Sequence, residues 1–241
     1  MTTELTPRQL GAIIRGVFDI FRKYFPALIT IVAIPHIILF VIGRGIGVDL
    51  QSGEFGSPFM FLVYVLFAVL AYVVMECALI YGVAEASLGR EVNIKNAYSF
   101  AFARLWTVIL ASLMVMIAVG LMAVTVIGIP AAIYFAIRWS FVLPAIMLED
   151  VGPREALSSS SELVRGTWWR VFGILIVLGL LTAVVSGLLN LVLFFVPEVR
   201  GTVANIISTP ITMIGTVLLY FDLRVRARGY SVEMLEEELV R

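Results

Sequence analysis

Six stretches of this chain run about 20 residues or longer with almost no charge, the length of helix that crosses a hydrocarbon core about 30 Å thick. Residues 24–43 are uncharged until Arg44, and 55–75 until Glu76, after which the apolar run resumes through Ala84. Residues 105–148 hold only Arg138 and are too long for one crossing; Gly128-Ile129-Pro130 is the natural turn that divides them into a tight hairpin. Residues 171–197 and 201–221 carry no charge until Glu198 and Asp222. A closed barrel would show alternation over about ten residues per strand, which these continuous runs lack.

Composition excludes the soluble alternative. Charged residues make up 14% of the 241, against about 25% in soluble domains. A 26.6 kDa globule that is 61% hydrophobic has too little polar surface to cover itself. A net charge of zero gives no footprint for nucleic acid. The single cysteine, Cys77, rules out an internal disulfide. Residues 1–25 are polar and amphipathic, without the short apolar core and cleavage site of a signal peptide, so the whole chain reads as mature protein.

With six spans, one side of the membrane receives Arg8, Arg15, Arg22, Lys23, Arg90, Lys95, Arg104, Arg154, Arg165, Arg170, Arg224, Arg226, Arg228 and Arg241. The other receives only Arg44 and Arg200, with Arg138 left within a span. The positive-inside rule then predicts that both termini are cytoplasmic.

A threefold pattern underlies the spans. Leu10, Ile13, Ile14, Val17, Phe18 and Phe21 fall on one helical face, and Ile94, Ala97, Tyr98, Ala101, Phe102 and Leu105 repeat that spacing. A third, less regular segment covers 153–169, interrupted by Ser158 to Ser161. Each carries an arginine near an aromatic (Arg22 and Tyr24, Arg104 and Trp106, Arg165 and Trp168), as at a headgroup-level anchor. Each unit reads as a cytoplasmic interfacial helix, a span out, a span back and a glycine: Gly89, Gly152 or Gly229. The expected fold is an all-α integral membrane protein of six transmembrane helices. They form one domain of three helical-hairpin repeats, roughly 7–89, 92–152 and 153–229, with a cytoplasmic tail at 230–241.

Ionisable residues within spans are functional candidates by default. Glu76 lies 13 residues before Gly89 and Arg138 lies 14 before Gly152, near-equivalent positions of opposite sign that would let the two face each other. Either a packing ion pair or a substrate path would follow. His36, the only histidine, stands in the first span after Pro35, where a hydrogen bond to a neighbouring helix is the more frequent role and proton relay the sharper one. Asn190 and Asn205 are candidates for interhelical hydrogen bonds. Pro35, Pro144 and Pro210 are expected to kink their helices. Gly43, Gly45 and Gly47 read as the end of the first span.

Signatures of catalysis are missing: no H-E-x-x-H, no G-x-S-x-G, no Walker loop and no Cys/His cluster. No cofactor or metal is expected, since one histidine cannot build a multi-histidine site. Arg22, Lys23, Arg104, Arg165 and Arg170 sit where anionic headgroups would lie, each able to contribute about 1 kcal/mol near a membrane surface.

Two segments carry a resemblance. Residues 143–157 (Leu-Pro-Ala-Ile-Met-Leu-Glu-Asp-Val-Gly-Pro-Arg-Glu-Ala-Leu) lead into 162–173 (Glu-Leu-Val-Arg-Gly-Thr-Trp-Trp-Arg-Val-Phe-Gly). Residues 220–229 read Tyr-Phe-Asp-Leu-Arg-Val-Arg-Ala-Arg-Gly. Together they resemble the membrane domain fused to some bacterial glycerophosphodiester phosphodiesterases and its stand-alone relatives. In those fusions hydrolysis belongs to a separate soluble barrel, so the resemblance carries no catalytic role to this chain. Where relatives have basic residues beside a serine, this chain has Ser158 to Ser161, and no phosphate-binding role is transferred to that segment. The resemblance implies a bacterial or archaeal cell membrane and a lipid-associated context. The expected function is non-enzymatic: a module that binds phospholipid or scaffolds a membrane-protein partner. The competing expectation is a small transporter with its path near Glu76, Arg138 and His36.

Overall fold

The computed structural model describes residues 9–49, 54–55 and 57–240. Its helices are α1 (Leu10–Lys23), α2 (Phe25–Gly45), α3 (Pro58–Ser87), α4 (Ile94–Ala103), α5 (Leu105–Ala123), α6 (Ile129–Arg138), α7 (Val142–Glu149), α8 (Pro153–Val164), α9 (Trp168–Val192), α10 (Pro197–Arg228) and α11 (Val232–Val240). Two-residue strands β1 (Val48–Asp49) and β2 (Glu54–Phe55) pair antiparallel in the connection from α2 to α3. Six helical segments are long and apolar enough to cross a membrane: α2, α3, α5, α6 with α7 as one broken span, α9 and α10. The chain is a multi-pass membrane protein.

The outer faces of the spans carry large apolar side chains, as lipid demands. Leu110, Met116 and Leu121 on α5 and Leu180, Leu188 and Leu191 on α9 are all exposed. The core gathers where α10 packs against α9, α2, α3 and α1, with Leu28, Ile31, Leu79, Ile80, Val217 and Leu218 out of contact with solvent or lipid. Gly215 lets α9 approach, since a Cβ there would lie 2.4 Å from Leu178 Cδ2. The short helices α1, α4 and α8 stand before α2, α5 and α9, separated from them at Tyr24, Arg104 and 165–167. Ile13 and Val17 of α1 and Ala97 and Ala101 of α4 are buried, while Phe18 and Phe102 stay exposed.

The turn after α5 falls where the Gly-Ile-Pro signal puts it. Pro130 occupies the first turn of α6, where its missing N–H costs nothing, and Thr125 Oγ1 accepts from the Gly128 N–H at 3.0 Å. The prolines act in different ways. Pro35 lies inside α2 and removes the normal donor to the Ile31 carbonyl four residues earlier; the Tyr98 hydroxyl of α4 donates to that carbonyl instead, at 2.6 Å. Pro144 accompanies a break rather than a kink. Its ring opposes the carbonyl of Ser140, and the chain leaves the helix at Trp139 to Phe141. Gly89, Gly152 and Gly229 all lie in connections after α3, α7 and α10; Gly89 and Gly229 take positive φ, while after α7 the left-handed residue is Asp150 and Gly152 caps α8.

Candidate functional site

The broken span creates the first site. Between α6 and α7 the Arg138 carbonyl and the Phe141 N–H lose their helical partners, and Ser160 of α8 satisfies them both: its hydroxyl donates to the former at 2.8 Å and accepts from the latter at 3.2 Å. Beside it the Trp139 indole donates to Ser161 Oγ at 3.2 Å, and the Ser159 hydroxyl donates to Glu149 at 3.0 Å. The serine run that interrupts the amphipathic pattern of α8 is thus the clasp that holds a broken helix. Its signal in the sequence was that very interruption.

Around the clasp lies a charged network. Glu149, at the end of α7, accepts from the Tyr220 hydroxyl at 2.6 Å and from Arg228 Nη1 at 2.9 Å, with Arg224 Nε at 3.9 Å. Arg224 forms a two-pronged pair with Glu238 of α11, at 2.9 and 2.8 Å, and lies 3.7 Å over the Tyr230 ring. Burial pushes the Tyr230 phenol above its usual range, against the pull of Arg224. On the adjacent face of α10, Asp222 has a fully buried side chain and accepts from Arg170 at 2.7 Å and Arg226 at 3.1 Å. The alternating Tyr220, Asp222, Arg224, Arg226 and Arg228 thereby divide between two helix faces, one toward α7, α8 and α11 and one toward α9.

This network redraws the set of headgroup candidates. Arg170 is engaged by Asp222. Arg104 is nearly buried, with Nε 2.9 Å from Asp150 Oδ1 and its guanidinium 3.9 Å over Phe100. Arg22 and Lys23 are exposed at the end of α1, Lys23 lying over the Tyr24 ring. Arg165 is exposed and shares a pocket of about 280 Å³ with Arg138, Tyr134, Ser161, Val164, Gly166 and Trp168. No carboxylate pairs with Arg138 or Arg165 among the described residues; Arg138 Nη1 donates only to the Tyr134 hydroxyl, at 3.3 Å. Trp168 stacks on Tyr134 and donates its indole N–H to the Tyr134 carbonyl, which fixes the aromatic wall of this pocket.

Arg138 and Glu76 therefore do not face each other. Counting along an unbroken span places Arg138 deep in the bilayer; the break at Trp139 instead brings it beside Arg165 at the junction of α8 and α9. Glu76 lines a separate cavity of about 450 Å³ with Thr182 and Ser186 of α9 and Asn205, Ser208, Thr209 and Thr212 of α10. Thr182 and Thr212 hydroxyls meet at 2.6 Å beside it. His36 belongs to this second region. Its Nδ1 lies 2.9 Å from the Val32 carbonyl of its own helix, and its Nε2 is 3.3 Å from the Tyr72 hydroxyl of α3, the expected interhelical contact. Asn190 instead turns back to donate to the Ser186 carbonyl of its own helix.

Residues 118–227 match the membrane domain of glycerophosphoryl diester phosphodiesterase. No curated protein and no solved structure matches the chain. The membrane-domain match begins within α5 and stops just short of the end of α10, a little under half of the chain. It contains the serine clasp, Arg138, Arg165 and Glu149, together with Tyr220, Asp222, Arg224 and Arg226. His36, Tyr72 and Glu76 lie outside it. Among the described residues, no cluster of three or more His, Cys, Asp or Glu could hold a metal ion.

Proposed function

We propose that this chain is a non-enzymatic phospholipid-binding module of a bacterial or archaeal cell membrane, with both termini in the cytoplasm. The observation that carries the reading is that Arg138 and Arg165 share one pocket without a carboxylate, whereas Arg104, Arg170, Arg224 and Arg228 are each paired with an acid. Two guanidinium groups supply forked donors suited to a phosphate, and the Tyr134–Trp168 wall suits the glycerol and upper acyl region of a lipid. The similarity of residues 118–227 to a membrane domain named for a phosphodiesterase of glycerophosphoryl diesters supports a lipid context. In this reading α1, α4 and α8 are cytoplasmic interfacial helices of three related hairpin units, and Arg22 and Lys23 add a weaker, non-specific attraction to anionic lipid.

The ligand chemistry is a phosphate diester or monoester, which a headgroup or free phosphate could provide. Lipid retention by the purified full chain, read by native mass spectrometry, is expected to show one tightly held phosphatidylglycerol that survives in Arg104→Gln and is lost in Arg138→Gln with Arg165→Gln. Thermal unfolding in detergent with added inorganic phosphate, against added short-chain phosphatidylglycerol, separates the two sources. A midpoint raised by phosphate alone would make the site one for a soluble anion. Equal lipid retention in wild type and the double variant would overturn the proposal.

A further inference from the structure

A second region of the bundle is built differently and lies outside the lipid reading. Glu76 stands inside α3, 11 residues before its end at Ser87, or about 16 Å along the helix axis. It has no cation and no hydrogen-bond donor among the described residues, although hydroxyls and an amide from α9 and α10 surround its cavity. One turn earlier on the same face, Tyr72 reaches His36. That pair lines another cavity, of about 240 Å³, with Tyr64, Thr202 and Asn205, which extends to Gly43 and Arg44 at the far end of α2. Asn205 lines both cavities, so polar side chains follow one another from the α2–α3 connection inward to Glu76.

Three chemical features select what could occupy this track. The inner end carries a carboxylate and neutral oxygen donors, a set suited to a small cation and not to an anion. No group of three His, Cys, Asp or Glu converges anywhere among the described residues, which excludes the usual transition-metal set. Threonine and serine hydroxyls with one amide carbonyl can replace the water shell of a monovalent metal ion or accept from an ammonium group. Polar groups in a membrane span are costly unless they are paired or line a wetted path. Here they stand on α3, α9 and α10 around common space, without pairing to the carboxylate. We infer that the track from Arg44 to Glu76 admits a small monovalent cation, alkali metal or primary ammonium, and that Glu76 is its counter-charge.

Two measurements on the full chain decide this. In the first, thermal unfolding in detergent is followed in chlorides of sodium, potassium or methylammonium at constant ionic strength, with N-methylglucamine as the bulky reference. The expected result is a midpoint that rises with the concentration of one of the three and does not rise in Glu76→Gln; Thr209→Val should reduce the rise without removing it. An alkali response and a methylammonium response distinguish the two sources. In the second, Asn205→Cys in a Cys77→Ser background is treated in sealed vesicles with a membrane-impermeant maleimide. Labelling from the Arg44 side, slowed by the same cation, is expected. Absence of labelling from that side, or a midpoint no more responsive to the three cations than to N-methylglucamine, overturns the inference, as does an equal response in Glu76→Gln.

Discussion

The arginine-rich junction and the Glu76 track hold comparable sets of polar groups and treat them in opposite ways. At the junction Glu149 satisfies a phenol, a serine and an arginine at once, and Asp222 holds two arginines with no exposure of its own side chain. In the track, hydroxyls and an amide surround a carboxylate without closing on it. A polar network that saturates itself fixes helices in one arrangement and has little left to offer a ligand. One that stops short retains its capacity to bind. The Arg138–Arg165 pocket sits at the border between the two regimes, since it adjoins the saturated network yet carries cations with no acid.

Four substitutions test how far that contrast holds. Glu149→Ala should have the largest effect, about 3–5 kcal/mol of lost stability, because it strands the Tyr220 hydroxyl and leaves Arg228 with only the longer contact to Glu162, at 3.7 Å. Denaturant unfolding in bicelles measures it, and a loss below about 1 kcal/mol would show that Glu149 does not hold the junction together. Ser160→Ala should cost about 1–3 kcal/mol in the same assay, with protease sensitivity rising selectively at residues 139–141, because two backbone groups lose their partner.

Tyr98→Phe should cost about 1 kcal/mol by removing the donor to the Ile31 carbonyl. Burial holds the Tyr98 phenol at about 12 against its usual 10. The folded state therefore favours the neutral phenol, a contribution complete below pH 10 and lost as pH rises through 12. The stability of Tyr98→Phe should fall less over that interval, as pH-dependent unfolding would reveal. Glu76→Gln should have the smallest effect, within about 0.5 kcal/mol of wild type or slightly stabilising, because no partner is stranded. A large loss would move Glu76 into the saturated class.

Much of the fold was legible in the chain, and for a simple reason: run length and charge are one-dimensional signals that a bilayer reads directly. The six spans, the turn at Gly128 and the end of α2 near Gly45 all follow from such signals. The interhelical bond of His36 follows in the same way, because a lone ring in lipid must find a partner. The place of Arg138 is not legible in the same way, because a break depends on what packs beside it. Ser140 and Pro144 weaken the helix, but Ser160 is what makes leaving it affordable, and that serine is 19 residues from Phe141. Likewise, nothing in the alternation of Asp222, Arg224, Arg226 and Arg228 distinguishes a headgroup patch from an internal network; Glu149 and Glu238, from distant elements, decide it.

The clasp also has a consequence for biogenesis. Ser160 follows Arg138 by 22 residues and Phe141 by 19, so the break of the fourth span leaves the ribosome before the serine that secures it. Until α8 follows, the nascent hairpin of α5 and α6 carries raw backbone groups that must find water or another partner near the translocon. Between emergence of the break and arrival of its serine, those groups stand without the partner the folded protein gives them. A stall that leaves Ser160 inside the ribosomal exit tunnel, with the break already outside it, should prolong that interval.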